Sequence, residues 1–146
     1  MNREQGTGNR EQGTGNKELY IKKNIFMSQL SLDKSSNFAL RIIKLYKYLT
    51  TEKQEYILSK QILRSGTSIG ANLTEAEHAI SKKDFLSKIH IAYKECAETQ
   101  YWLNLLHKSD YLNPEQFESI NNDCTELFKI LTTTIKTTKE NLRKKE

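Results

Sequence analysis

One proline, two cysteines and six glycines in 146 residues set narrow limits on the fold. With so few turn-forming residues and no β-branched runs bounded by them, strands have little support, and the abundant Lys, Glu, Leu and Ile favour helix. Two cysteines without a CxxC spacing exclude a disulfide framework. Cys96 and Cys124 each stand alone in an apolar helical context and read as reduced core residues. No apolar stretch approaches the roughly eighteen residues that a membrane span requires, and no hydrophobic h-region opens the sequence. A cytoplasmic protein without membrane contact is the expectation. The chain is long enough to bury a core without disulfide or metal staples. Its net charge of +5 favours acidic partners such as nucleic acid.

The N-terminal segment repeats itself: the seven residues Asn2 to Gly8 recur as Asn9 to Gly15, and a third copy decays after Asn16. The period matches a coiled coil but the composition does not. The repeat has no apolar position to bury, and two glycines per copy oppose helix. Residues 1–35 are therefore expected to be a disordered extension. The change in composition at Met27 points to a native start there, with residues 1–26 translated from upstream repeat DNA.

From residue 36 to 142 the pattern is that of four amphipathic helices. The first is expected to start at an Asn37 N-cap and to carry Phe38, Ile42, Leu45, Tyr46 and Leu49 on one face. Thr50 to Lys53 reads as a turn. Tyr56, Ile57, Leu58, Ile62, Ile69, Leu73 and Ala76 then mark a second helix reaching about Ala79. Inside it, Gly66 and Gly70 lie four residues apart in a small-sided patch with Ser65, Ser68 and Ala71. Because glycine in a helix costs up to about 1 kcal/mol against alanine, close approach of another backbone is expected there. Ser81 and Asp84 resemble a capping box before the stripe Phe85, Ile89, Ala92, Cys96, Thr99, Leu103 and Leu106. Asn113 followed by Pro114 starts the fourth helix, striped by Phe117, Ile120, Cys124, Leu127, Leu131, Ile135 and Leu142. The expected fold is all-α, an antiparallel up-down-up-down four-helix bundle, followed by a basic tail at 143–146.

The run QILRSGTSIGANLTEA from Gln61 to Ala76, the following Lys83, Asp84 and Phe85, and KECAETQYWL from Lys94 to Leu103 resemble a known family. These are the four-helix bundle proteins named after the intervening sequences of bacterial 23S ribosomal RNA, and the resemblance covers about Ser36 to Leu131. The accessory variability proteins of diversity-generating retroelements are similar in fold. That similarity implies a barrel-like homopentamer whose basic surface engages nucleic acid and a reverse transcriptase. The sequence departs from the usual pattern at Leu73-Thr74, where Ile-Ala is expected, and at Cys96, where alanine is frequent. The repeat segment has no counterpart in the family.

Two sets of candidate residues follow. Arg64, Gly66, Gly70, Asn72, Glu75, Glu95, Glu98 and Trp102 lie within the resembling motifs. They read either as packing and ion-pair groups that fix register or oligomeric state, or as direct partner contacts. Trp102, with Tyr93 and Tyr101 nearby, suits an interface anchor better than a base-stacking platform. Lys60, Arg64, Lys136, Lys139, Arg143, Lys144 and Lys145 are the candidate phosphate-binding cations, and an oligomer would multiply their field. Glu75 and His78 form an ExxH pair, but a di-iron bundle needs two such pairs and further glutamates, so neither a metal nor another cofactor is expected. No phosphate-binding loop or catalytic triad spacing occurs, and no enzyme is expected. The function read from the sequence is that of a non-enzymatic homo-oligomer binding RNA or DNA. The alternative is a protein adaptor that docks a polymerase or other protein without touching nucleic acid.

Overall fold

The computed structural model describes residues 8–144, with side chains placed at 13, 15–19 and 29–144. It contains four helices, α1 (Gly8–Thr51), α2 (Leu58–Glu77), α3 (Lys82–Lys108) and α4 (Pro114–Arg143), and no strand among the described residues. The chain divides into two units, the first ending at Leu30 and the second beginning at Ser31. In the first unit the described residues are helical from Gly8; Leu19 is exposed, and Leu30 at the unit's end is half-buried. The composition there opposes helix. The opening residues of the first repeat copy, Asn2 to Thr7, lie outside the described residues.

The second unit holds the hydrophobic core. Its boundary differs from the expected one at 36. Asn37 is not an N-cap but an interior residue of α1, because the preceding turn is itself packed: Ser31 and Ser35 are buried and Leu32 rests against the core. Ser35 Oγ does not cap; it donates to the Leu32 carbonyl at 3.0 Å. The second correction concerns the α1–α2 connection. Tyr56 and Ile57 are exposed and precede α2, whose helical residues begin at Leu58. Gln54 adopts a positive φ of 53°, the backbone turns, and Glu55 swings its carboxylate under the start of α2. Its Oε1 accepts from the amides of Ile57 at 3.0 Å and Leu58 at 2.8 Å, and its Oε2 from Ser59 at 2.7 Å. Three donors left over at a helix start are thus satisfied by one side chain. Burial pushes the Glu55 carboxyl up, but the amides of Leu58, Ser59 and Ile57 outweigh it and hold its pKa below the ordinary glutamate value.

The other two caps follow the sequence signals. Ser81 Oγ accepts from the Asp84 amide at 3.0 Å, while the Asp84 carboxylate reaches back to the Ile80 amide at 3.2 Å. Asn113 and Gln116 form a reciprocal box at 2.8 and 3.0 Å, with Pro114 opening α4.

Cross-helix pairs define the arrangement. Gly66 and Gly70 on α2 face Ile42 and Ser35 on α1. Arg64 and Glu75 on α2 pair with Glu98 and Lys88 on α3. Across α3 and α4, Tyr93 packs against Phe128 with the rings tilted and their centroids 4.7 Å apart, and His107 stacks on Phe117 at 4.5 Å. Arg41 on α1 binds Asp123 at 2.6 Å and the Ser119 hydroxyl at 2.8 Å on α4, and Lys34 pairs with Glu126. In each set, numbers rise on one helix as they fall on the other, so neighbouring helices run antiparallel around a shared core. Phe38, Ile42, Leu49, Ile62, Ile69, Leu103, Leu106, Leu127 and Leu131 are essentially inaccessible within it.

Two polar contacts sit inside that core. The hydroxyls of Ser65 and Thr99 lie 2.9 Å apart between α2 and α3, and Thr99 Oγ1 also donates to the Glu95 carbonyl at 2.7 Å. Cys96 and Cys124, which the sequence places in separate helices without linking them, meet with their sulfurs 3.7 Å apart. Both are free thiols and fully buried. The hydrogen-bonded contact with Cys96, reinforced by burial, pushes the Cys124 thiol far above its ordinary pKa.

Candidate nucleic-acid interface

The residues of the resembling motifs are brought together, largely for internal packing. A side chain at Gly66 would press on Ile42, and one at Gly70 would meet Ser35 Oγ at 3.2 Å and its backbone carbon at 3.6 Å. The small-residue patch is therefore occupied by α1 of the same chain. Arg64 bridges α2 to α3, with Nη1 3.3 Å from Glu95 Oε2 and Nη2 on Glu98. The Glu98 hydrogen bond, ahead of the other contacts, raises the guanidinium pKa. Burial first, and then the neighbouring Glu98 charge, raise the Glu95 carboxyl against the opposing pull of Arg64. Glu75 takes Lys88 at 2.9 Å, and Asn72 Nδ2 donates to the Ser68 carbonyl at 2.8 Å. His78 is the exposed C-cap of α2. Trp102 packs partly buried against the core beside Tyr101, with its indole Nε1 buried and lacking a hydrogen-bond acceptor.

The candidate cations separate into two groups. Arg64 is committed to two carboxylates. Lys60, in the first turn of α2, is exposed and lies at the end of the bundle where α3 finishes. Lys136, Lys139, Arg143 and Lys144 lie at the opposite end, on and just beyond the last turns of α4, and all are exposed. Lys145 lies outside the described residues. Sequence reasoning missed Lys129, whose spacing of seven from Lys136 was the available signal. With about 100° per residue, Lys129, Lys136, Lys139 and Arg143 fall within about 80° of one another around α4, along a rise of about 21 Å. Thr132 is exposed on the same face, and Glu140 borders it. None of these four cations has an ion pair among the described residues.

The stripe leans toward α3. The Tyr93–Phe128 pairing sets the register, and stepping outward along both antiparallel helices places Lys83 level with Thr138, between Lys136 and Lys139. Lys83 is exposed at the start of α3, where the amide ends of the helix add positive potential. Such an arrangement can hold phosphates by charge.

No helix among the described residues is long and apolar enough to cross a membrane. No curated protein matches the chain. A solved structure does: the crystal structure of a protein of unknown function from the S23 ribosomal protein family of Bacteroides thetaiotaomicron is 55% identical, and the match covers 75% of this chain and 98% of that one with a TM-score of 0.75. The family model described as 23S rRNA-intervening sequence protein matches residues 29–133, which include the three motifs, all four interhelical ion-pair sites and Lys129. By that match, the chain belongs to the 23S rRNA-intervening sequence protein family.

Proposed function

We propose that this protein is a non-enzymatic, homo-oligomeric bundle that binds RNA or DNA through phosphates, using the outer face of α4. The observation that carries the reading is the set of four exposed cations, Lys129, Lys136, Lys139 and Arg143, aligned on one helix face without ion pairs among the described residues. Elsewhere in the second unit, Lys34, Arg41, Arg64 and Lys88 pair with carboxylates, whereas Lys44, Lys47, Lys60 and Lys94 are exposed without such pairs among the described residues, so what distinguishes the α4 set is its alignment along one helix face. Assembly, a pentamer by analogy with the retroelement accessory proteins, would set several such stripes on one particle and raise the local field.

The test is retention of a labelled, structured RNA by the full chain across a salt series, with sedimentation to fix the copy number. Log affinity falls linearly with log salt if phosphates carry the binding. Affinity that ignores salt, or a pull-down that recovers one stoichiometric protein after nuclease treatment, would replace this reading with a protein adaptor.

A further inference from the structure

Building on the phosphate-binding role of α4, we infer that its stripe is selective for duplex over single-stranded nucleic acid. Single strands are held by grooves in which aromatic side chains stack on successive bases, and that stacking offsets the cost of ordering a flexible chain. The α4 stripe has no such platform. Between Lys129 and Arg143 its exposed residues are Thr132, Thr133, Lys136, Lys139 and Glu140. The aromatic residues of α4, Phe117 and Phe128, are turned inward, packed against His107 and Tyr93.

Rigidity points the same way. The four cations sit on a continuous helix whose inner face is locked into the core by Leu127, Leu131 and Ile135, so the spacing of their backbone anchors is fixed. A fixed array favours a ligand whose phosphates are also fixed. A duplex supplies one charge per about 1.7 Å of axis and a denser counterion atmosphere than a single strand. With about four phosphates neutralised per chain, the slope of log affinity against log salt is about −3.6 for a duplex and about −2.8 for a single strand. For equal affinities at 1 M salt, that difference corresponds to roughly sixfold preference for the duplex at 0.1 M.

The experiment compares a mixed-sequence RNA duplex of about two helical turns with an oligo(U) of the same length, each titrated with the full chain over a salt series. It is repeated with a Lys129→Gln, Lys136→Gln, Lys139→Gln variant whose helicity and melting are checked first. The inference expects tighter binding and a steeper salt slope for the duplex, with the preference lost in the variant. Equal or tighter binding of oligo(U) overturns duplex selectivity while leaving phosphate binding intact. Retention of neither probe overturns both, and an unchanged preference in the folded variant overturns the assignment to α4.

Discussion

Gly66 on α2 and Ile42 on α1 share a contact with no room for even one added carbon. A Cβ built at position 66 would lie 2.7 Å from Ile42 Cγ1 and 2.9 Å from its Cγ2. At Gly70 the nearest atom is the Ser35 hydroxyl, at 3.2 Å, and the rest of the contact is ordinary.

The two glycines should therefore respond differently to the same substitution. Gly66→Ala gains about 1 kcal/mol of helix propensity and loses about 1–3 kcal/mol to overpacking, so it should lower stability. Gly70→Ala should range from neutral to about 1 kcal/mol stabilising, because the same propensity gain is opposed only by a hydroxyl that can shift by a few tenths of an ångström. Thermal melts followed by circular dichroism decide the matter, and a Gly66→Ala protein that melts at or above the wild-type temperature would contradict the contact.

Glu55 should be worth more than a surface glutamate. Its replacement by alanine leaves the amides of Ile57, Leu58 and Ser59 at the start of α2 without their acceptor and should cost about 1–2 kcal/mol at neutral pH. Because its folded pKa is depressed, its contribution is full above the ordinary glutamate range and declines as the pH falls through the folded value. Urea titrations of wild type and Glu55→Ala should accordingly converge in acid. A gap that stays constant or widens toward low pH would refute the cap.

The cysteines should behave as one closed compartment. With both thiols buried, and Cys124 held protonated by its neighbour and by burial, alkylation of the native protein at pH 8 should wait for unfolding. Mass spectra taken during the reaction should show chains with no label or two. A persistent singly labelled population would mean that one thiol opens locally.

Arg64 provides the contrast to the α4 stripe. Its guanidinium side chain is about half exposed, at 51%, so its pairing with Glu95 and Glu98 should contribute less than about 1 kcal/mol. Arg64→Ala should leave RNA retention unaltered, whereas Lys136→Gln with Lys139→Gln should flatten the salt slope by about two units. Equal losses in the two variants would place Arg64 in the binding surface after all.

Helix number, the caps at Ser81 and Asn113, and the core stripes of α3 and α4 were legible because each rests on local spacing. The Ser81 and Asn113 signals lie within four residues of the amides they serve. Glu55 was not legible, since its capping role depends on a positive φ at Gln54 that no residue preference announces. The Asn37 start was misread for a related reason. A good cap residue carries no weight when the preceding turn is packed, and the packing of Ser31, Leu32 and Ser35 comes from distant parts of the chain. Gly66 and Gly70 signalled a close approach but not its source, which proved to be α1. Of the candidate cations, Lys136, Lys139 and Arg143 were legible as a cluster near the C-terminal end, whereas the pairing of Arg64 with Glu95 and Glu98 is visible only in the fold.

The Ser65–Thr99 hydroxyl contact also bears on how many ways this chain can pack. On the α3 stripe the neighbours of Thr99 are Cys96 and Leu103, so sliding α3 by one turn, about 5.4 Å, would set a thiol or an alkyl group against Ser65. A hydroxyl stranded in the interior costs about 1–3 kcal/mol, while an all-aliphatic seam would slide at little penalty. Two small oxygens thus make neighbouring alignments distinguishable in energy from within the core, and they favour the same offset that Arg64 with Glu98 and Glu75 with Lys88 hold from the rim.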